Sequence, residues 1–361
     1  MRASRLALAT AEALPERMRA VLVPSFGAPA VLRLADDLPL PRLEAHEVLV
    51  RVGAAGVNPL DCRVRAGYGR SLFGPLLPLV LGREFCGRVA SLGAGVRDVV
   101  LGSRVFGALS PLVPRGSHAR YVAVPACDLA PVPETWSDAH AASLPFAALT
   151  AWRALHGGGC TAASLACADV LVLGAGGAVG AAAVQLAVAA GARVHATAGQ
   201  RSRERVLSYG AASVGGSHTP LCDSAASHAW PSFHLVVDTV GGSEPAALAL
   251  CRPQGRFVTL HGGAVTALDT HGLILGAAAA AAQLMARKAE VARTHGGVSY
   301  SWAVMRPDDE AWASVADLAS QGQVRPHLGR VLPWESAVEA HELVESGAAG
   351  GKVVLSFEED E

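Results

Sequence analysis

Apolar residues change their rhythm along this chain, and the change marks its organisation. Early on they come in short β-branched runs: Met18–Val23, Glu47–Gly53, Gly87–Ser91, Arg104–Ala108 and Ala119–Val124. Pro, Gly and Asp punctuate the intervals, so these runs predict strands of a β-rich, barrel-like domain. From Ser137 the pattern lengthens. Asp138–Leu144 and Ala147–His156 predict helices, and a buried strand opens at Val170. An Ala-rich helix over Ala181–Gly191 and a second strand at Arg193–Ala198 complete a βαβ unit. Phe233–Val237 and Gly255–Leu260 add two strands, which end at the loops Asp238–Gly242 and His261–Gly263. Strands alternating with helices imply a parallel sheet whose ligands bind at the carboxyl ends of the strands. Arg325–Phe357 returns to strands around a helix at Trp334–Glu345 and is expected to rejoin the first domain. The predicted fold is α/β, a doubly wound parallel sheet beside a β-rich barrel. Its boundaries read as an N-terminal extension over 1–18, the barrel over 19–145 plus 305–361, and the parallel-sheet domain over 146–304.

The joint inside the βαβ unit carries the strongest chemical signal. Gly174, Gly177 and Gly180 are spaced three apart in Val170-Leu-Val-Leu-Gly-Ala-Gly-Gly-Ala-Val-Gly180. A strict G-x-G-x-x-G fails because position 175 is Ala, and A-x-G-x-x-G fits. Small residues here let the backbone approach a pyrophosphate, Gly180 lets the helix pack close to the strand, and unpaired helix N–H groups meet the anion. Glycine-rich joints also arise for packing alone. The flanking order of strand, helix and strand favours a Rossmann-type nucleotide site.

The second strand suggests which nucleotide. NAD sites usually place an acid near its end, to hold the ribose 2′-hydroxyl. Between Ala181 and Arg203 this chain has none, and the strand runs into Gly199-Gln-Arg-Ser-Arg203. A guanidinium there suits the 2′-phosphate of NADPH, because it pairs with phosphate through two parallel hydrogen bonds. The bland alternative is that Arg201 and Arg203 are solvated at the start of a helix.

Composition narrows the remaining classes. A chain of 361 residues, 51% hydrophobic and 17% charged, suits a globular protein with a large core, in two domains or one large one. Net charge is −1 with no basic stripe, so nucleic acid is not a default partner. Seven Cys, an odd number with no Cys-x-x-Cys, argue against a disulfide framework and fit a reducing compartment. Thirteen dispersed His support no zinc lobe. The longest apolar run, Gly272–Met285, is too short to span a bilayer and predicts a packed helix, so no transmembrane segment is expected. The start carries Arg2, Arg5, Arg17 and Arg19, with no acid before Glu12. That resembles an organellar transit peptide, mitochondrial or plastid. An untidy extension of a cytosolic protein is the alternative.

Several further motifs fall in a telling order. They are Gly56-Val-Asn-Pro-Leu-Asp61, Arg65-Ala-Gly-Tyr68, Pro78-Leu-Val-Leu-Gly-Arg-Glu-Phe-Cys-Gly-Arg-Val89 and Ala142-Ser-Leu-Pro-Phe-Ala-Ala-Leu-Thr-Ala-Trp152. The glycine joint, Asp238-Thr-Val-Gly-Gly242 and Gly351-Lys-Val-Val-Leu355 follow. Together, from Arg19 to Phe357, they resemble the medium-chain dehydrogenase/reductase superfamily in its zinc-free quinone oxidoreductase branch. Val298-Ser-Tyr-Ser-Trp302 and Gly322-Gln-Val-Arg-Pro326 look most like the mitochondrial reticulon-interacting protein 1 group. The resemblance implies a GroES-like catalytic domain beside the Rossmann domain, and NADPH-dependent oxidoreductase activity associated with quinones. It also implies a mitochondrial location and a homodimer through sheet-edge pairing, although monomers occur in the superfamily.

The same resemblance assigns site residues. Zinc alcohol dehydrogenases of the superfamily carry a Cys ligand where this chain has Asn58 and a His ligand where it has Arg83. Neither replacement suits zinc, so no metal is expected. A quinone or another α,β-unsaturated carbonyl then fits as acceptor, because its conjugated system takes hydride without a Lewis acid. Asn58 and Tyr68 are the candidates for orienting or protonating it. Asn58 before Pro59 also suits a simple turn, and Tyr68 a half-buried packing position. Thr150 is expected near the nicotinamide or its phosphate. Gly176, Gly177, Ala178, Val179 and Gly180 are expected to cradle the pyrophosphate. Leu260 and His261 are expected to border the nicotinamide, while Ala349, Gly350 and Gly351 close over the cofactor. Asp61 is expected to brace backbone, and Glu84 to pair with an arginine. Two departures stand out: Gly199 replaces a common Ser, and Ser217 a common Tyr, which removes hydrogen bonds from the adenosine end. Arg201 and Arg203 are placed to compensate. The competing class is a non-catalytic, nucleotide-binding scaffold or assembly subunit on the same fold.

Overall fold

The computed structural model describes residues 13–157, 162–306 and 309–357. Positions 1–12 of the expected extension, Cys160 and the acidic tail Glu358–Glu361 lie outside the described residues. Two compact units are present: 1–65 with 78–143 and 328–361, and 66–77 with 144–327.

The first unit is built from β-branched and small residues. In chain order its strands are β1 (Arg17–Val23), β2 (Arg33–Pro39), β3 (Glu47–Val57), β4 (Leu79–Val80), β5 (Glu84–Leu92), β6 (Arg104–Ala108), β7 (Tyr121–Pro125) and β8 (Leu129–Pro131). The second unit supplies β9 (Asp169–Leu173), β10 (Arg193–Ala198), β11 (Ser213–Gly216), β12 (Phe233–Asp238), β13 (Cys251–Thr259) and β14 (Ser299–Trp302). The chain then returns to the first unit with β15 (Leu328–Pro333) and β16 (Lys352–Ser356).

In the first unit β2-β1-β4 forms a small antiparallel sheet. The larger sheet runs β15-β16-β3-β5-β6-β8, with β7 also on β3. The eleven residues of β3 are almost wholly buried, as its run Glu47-Val-Leu-Val-Arg-Val-Gly-Ala-Ala-Gly-Val57 demands. Strand β16 pairs antiparallel with the end of β3, setting Val353 opposite Val57. That pairing brings the last strand of the chain beside Asn58.

In the second unit six parallel strands run β11-β10-β9-β12-β13-β14. This is the doubly wound order expected of a Rossmann-type sheet, with β9 central and the order of strand addition switching sides between β9 and β12. Val170, Leu171 and Val172 are fully buried, as an all-parallel centre requires. Residues 305–327, expected with the barrel, group with this unit instead. The helix Asp309–Ser320 packs on the helix Pro145–His156, and Gln185 exchanges two hydrogen bonds with the Arg325 backbone.

The apolar run Gly272–Met285 departs from expectation as well. It belongs to a 22-residue helix, Leu273–Thr294, of which only Gly276, Ala280 and Val291 are buried. It is not a packed core helix. Its first half leans on the helix Ala264–His271, itself without a buried residue. Its second half is tied down by Arg287, which donates to Glu244. No described helix is long and apolar enough to cross a membrane.

Candidate active site

The glycine joint sits at the carboxyl end of β9. Gly174 turns the chain at φ +82°, a left-handed conformation that favours glycine. Its N–H donates to Thr197 Oγ1, and the Ala175 N–H donates to the Thr197 carbonyl, which pins the turn to β10. Gly177 then stands at the N-cap of the helix Ala178–Ala189. No side chain caps that end and its first turn holds no acid, so its N–H groups and helix dipole are left to an anion.

The glycines divide by purpose. A Cβ at Gly180 would fall 2.3 Å from the Gly174 carbonyl oxygen, so helix and strand approach this closely only with glycine there. A Cβ at Gly177 would meet nothing nearer than 3.6 Å. Packing does not require glycine at 177, whose bare face leaves room in front of the helix. The cradle therefore fits a pyrophosphate.

Around this cradle the structure gathers several of the expected residues. Gly199 follows β10, and a Cβ there would lie 3.7 Å from Ser217 Oγ. Arg201 is exposed just beyond. Arg203 is turned away, because its guanidinium donates to the Val214 carbonyl of β11. Sequence reading missed Arg205, whose Nη2 donates to the Gly176 carbonyl (3.0 Å) and Ser202 Oγ (3.1 Å) and so props the glycine turn. The three arginines alternate along a helical start, and residues two apart point about 200° from one another. Position in the sequence alone did not say which one faces the turn.

Leu260 and His261 extend from the end of β13. Asp238 organises this edge by accepting from the Val240 and Gly241 N–H groups and from Thr259 Oγ1. Thr259 Oγ1 in turn accepts the His261 N–H, and His261 Nε2 lies 3.2 Å from the Thr239 carbonyl. Thr150 is buried, and its hydroxyl donates to the Phe146 carbonyl one turn earlier. Its proton is thereby committed to its own helix. Tyr68 is half-buried in the second unit, between the helices Pro59–Arg65 and Arg70–Phe73.

In the first unit Asn58 follows β3. Asp61 braces this corner, accepting the Asn58 N–H (2.8 Å) and the Gly82 N–H (3.0 Å). Asn58 Nδ2 donates to Glu84 Oε1 at 2.9 Å, and Lys352 Nζ donates to Asn58 Oδ1. Glu84 thus ion-pairs with Lys352 from β16, where an arginine was expected. Arg83 is buried, and its Nη1 donates to the carbonyls of Val113 (2.9 Å) and Arg115 (3.0 Å). Burial pulls its pKa below the usual arginine value. Ala349, Gly350 and Gly351 form the loop entering β16, with Gly350 at φ +70°. Among the described residues no group of three His, Cys, Asp or Glu is placed to hold a metal ion.

Deeper in this unit two imidazoles face each other. His118 and His341 are fully buried, with ring centroids 6.1 Å apart. Both nitrogens of His341 and Nδ1 of His118 lack partners. Burial, reinforced by His118, holds the His341 pKa down to about 3. Burial likewise lowers that of His118.

Comparison with known proteins agrees with this geometry. Residues 44–134 match the alcohol dehydrogenase GroES-like domain, and residues 210–355 match the zinc-binding dehydrogenase family. The chain is 32% identical to the mitochondrial NAD(P)H oxidoreductase RTN4IP1 of Danio rerio, over 95% of this chain and 92% of that protein. It is 30% identical to the quinone oxidoreductase of Mus musculus, over 94% of this chain and 97% of the relative. The solved quinone oxidoreductase of Coxiella burnetii superposes with a TM-score of 0.77 at 27% identity, covering 95% of this chain and all of that one. The chain belongs to the medium-chain dehydrogenase/reductase superfamily, among the oxidoreductases related to RTN4IP1 and quinone oxidoreductase.

Proposed function

We propose that this protein is an NADPH-dependent, zinc-independent reductase of quinones or other α,β-unsaturated carbonyls. The observation that carries the reading is the glycine joint, whose helix end is uncapped and uncrowded at Gly177, with Arg201 exposed just beyond β10. Gly176, Gly177, Ala178, Val179 and Gly180 would hold the pyrophosphate through backbone N–H groups, and Arg201 would take the 2′-phosphate. Leu260 and His261 would border the nicotinamide, and Ala349, Gly350 and Gly351 are the candidates for closing over the cofactor. NADPH, when bound, supplies a hydride from nicotinamide C4. The chain's own part is to orient the acceptor and to meet charge developing on its carbonyl oxygen, for which Asn58 and Tyr68 are the candidates.

Zinc independence is supported by what occupies the ligand positions. Arg83 is committed to backbone carbonyls, and Asn58 to Glu84 and Lys352. Neither offers zinc a lone pair of the usual kind. The arginine-bearing start, with no acid before Glu12, and the mitochondrial relatives support a mitochondrial location. NADPH oxidation followed at 340 nm, with a panel of quinones and enones, tests the activity. NADPH binding without turnover of any acceptor would favour the scaffold reading.

A further inference from the structure

Asn58 is the chain's single asparagine, and Lys352 is one of its two lysines. Asn58, Glu84 and Lys352 are all buried, at 4%, 0% and 6% exposure. The three side chains close a ring: Asn58 Nδ2 to Glu84 Oε1, Lys352 Nζ to that same oxygen, and Lys352 Nζ to Asn58 Oδ1. Each comes from a different part of the fold, the end of β3, the start of β5 and the start of β16.

An amide has nearly the same shape in either flip, so packing alone does not choose which end carries the donors. Here the ion pair chooses. An ammonium has only donors and an ionised carboxylate only acceptors. Turning Asn58 over would set Nδ2 against Lys352 and Oδ1 against Glu84, two repulsive contacts in a buried site. A buried ion pair is a poor source of stability, because desolvation offsets its attraction, but its polarity can fix a geometry.

We propose that Glu84 and Lys352 are positioning residues that lock the Asn58 amide, leaving its second Nδ2 proton as a directed donor to the acceptor's carbonyl oxygen. This rests on the reductase reading above. In that reaction bound NADPH would supply the hydride to the conjugated acceptor, whose electron pair would move onto the carbonyl oxygen that Asn58 would meet. A proton from solvent completes the conversion of quinone, NADPH and H⁺ to hydroquinone and NADP⁺. A donor already fixed when charge develops needs no reorganisation, which is why locking it matters for rate.

The test uses the full chain with its asparagine side chain labelled with ¹⁵N, which gives one pair of amide proton signals. In the wild type, one of those protons is expected to exchange slowly with solvent, as a buried donor to Glu84 should. Two protons that exchange fast and alike would overturn the lock without any variant. The double variant Glu84→Gln with Lys352→Gln presents groups that both donate and accept, so either flip is satisfied. Its kcat is expected to fall roughly tenfold, with KM and NADPH affinity within about twofold of wild type. Lys352→Arg alone, which keeps a donor-only partner and the Glu84 carboxylate, is expected to retain most of the wild-type rate. A folded double variant with wild-type kcat or a wild-type amide spectrum would overturn the proposal. A wild type that turns over no acceptor would end the reductase reading alone, and the amide spectrum would still decide whether the pair locks Asn58.

Discussion

Gly180 and Gly174 touch so closely that a methyl group on the first would collide with the carbonyl oxygen of the second, at 2.3 Å. Gly177, three residues earlier on the same turn, has no such neighbour. The two glycines therefore separate packing from binding. Gly180→Ala is expected to destabilise the fold by about 1–3 kcal/mol, as overpacking does. Gly177→Ala is expected to leave thermal stability nearly unchanged while weakening NADPH. Gly177→Asp, which sets a carboxylate against the pyrophosphate, is expected to abolish binding in a folded protein. Melting curves and cofactor titrations of the three variants check this. Tight NADPH binding by folded Gly177→Asp would remove the pyrophosphate from this turn.

The arginines beyond β10 make a second contrast. Arg201 is exposed, whereas Arg203 is tied to the Val214 carbonyl and Arg205 to the glycine turn. Arg201→Ala is expected to weaken NADPH about tenfold or more, the value of one charge-assisted contact, and to leave NADH nearly unaffected. Arg205→Ala is expected to weaken both cofactors alike, because it loosens the turn beneath the shared pyrophosphate. Equal losses for NADPH and NADH in Arg201→Ala would show that it does not read the 2′-phosphate.

The buried pair His118 and His341 gives the fold a pH dependence of definite sign. Both imidazoles stay neutral in the folded chain well below the ordinary histidine pKa, while the unfolded chain protonates them near pH 6.5. Below that pH the unfolded state binds more protons, so stability falls as pH falls. Each such histidine contributes a slope of about 1.4 kcal/mol per pH unit. Urea unfolding between pH 7 and 5 reads the slope directly. His341→Gln is expected to flatten it by about one proton's worth. An unchanged slope would mean that His341 is protonated in the folded state.

Much of the second unit was legible because its signals are local. Val170–Leu173 is a run of buried apolar residues ending at a glycine turn, and nothing distant is needed to read it. Strands β11 and β14 were missed because Ser213-Val-Gly-Gly216 and Ser299-Tyr-Ser-Trp302 are short and polar, and they are held by pairing to neighbours rather than by their own pattern. The exposure of the helix Leu273–Thr294 was hidden because alanine suits a core and a bare helical surface equally. At the candidate site the resemblance already implied that Asp61 braces backbone, as its acceptance of the Asn58 N–H shows. The Lys352 partner of Glu84 was not legible, since the far end of the chain supplies it through the β16–β3 pairing.

Zinc independence has its own check. The purified protein is expected to contain far less than one zinc per chain, and chelation is expected to leave its acceptor reduction rate unchanged. Arg83→Ala, which strips the Val113 and Arg115 carbonyls of a buried donor, is expected to cost about 1–3 kcal/mol of stability. Stoichiometric zinc whose removal stops turnover would overturn this reading.

The most direct test of the proposed function is a fluorescence titration of the purified chain with NADPH and, separately, with NADH. Micromolar NADPH binding with NADH much weaker is the expected result, and quinones would then be the first acceptors to try. Binding of neither cofactor would contradict the reductase assignment, leaving a dehydrogenase-like fold that serves another purpose.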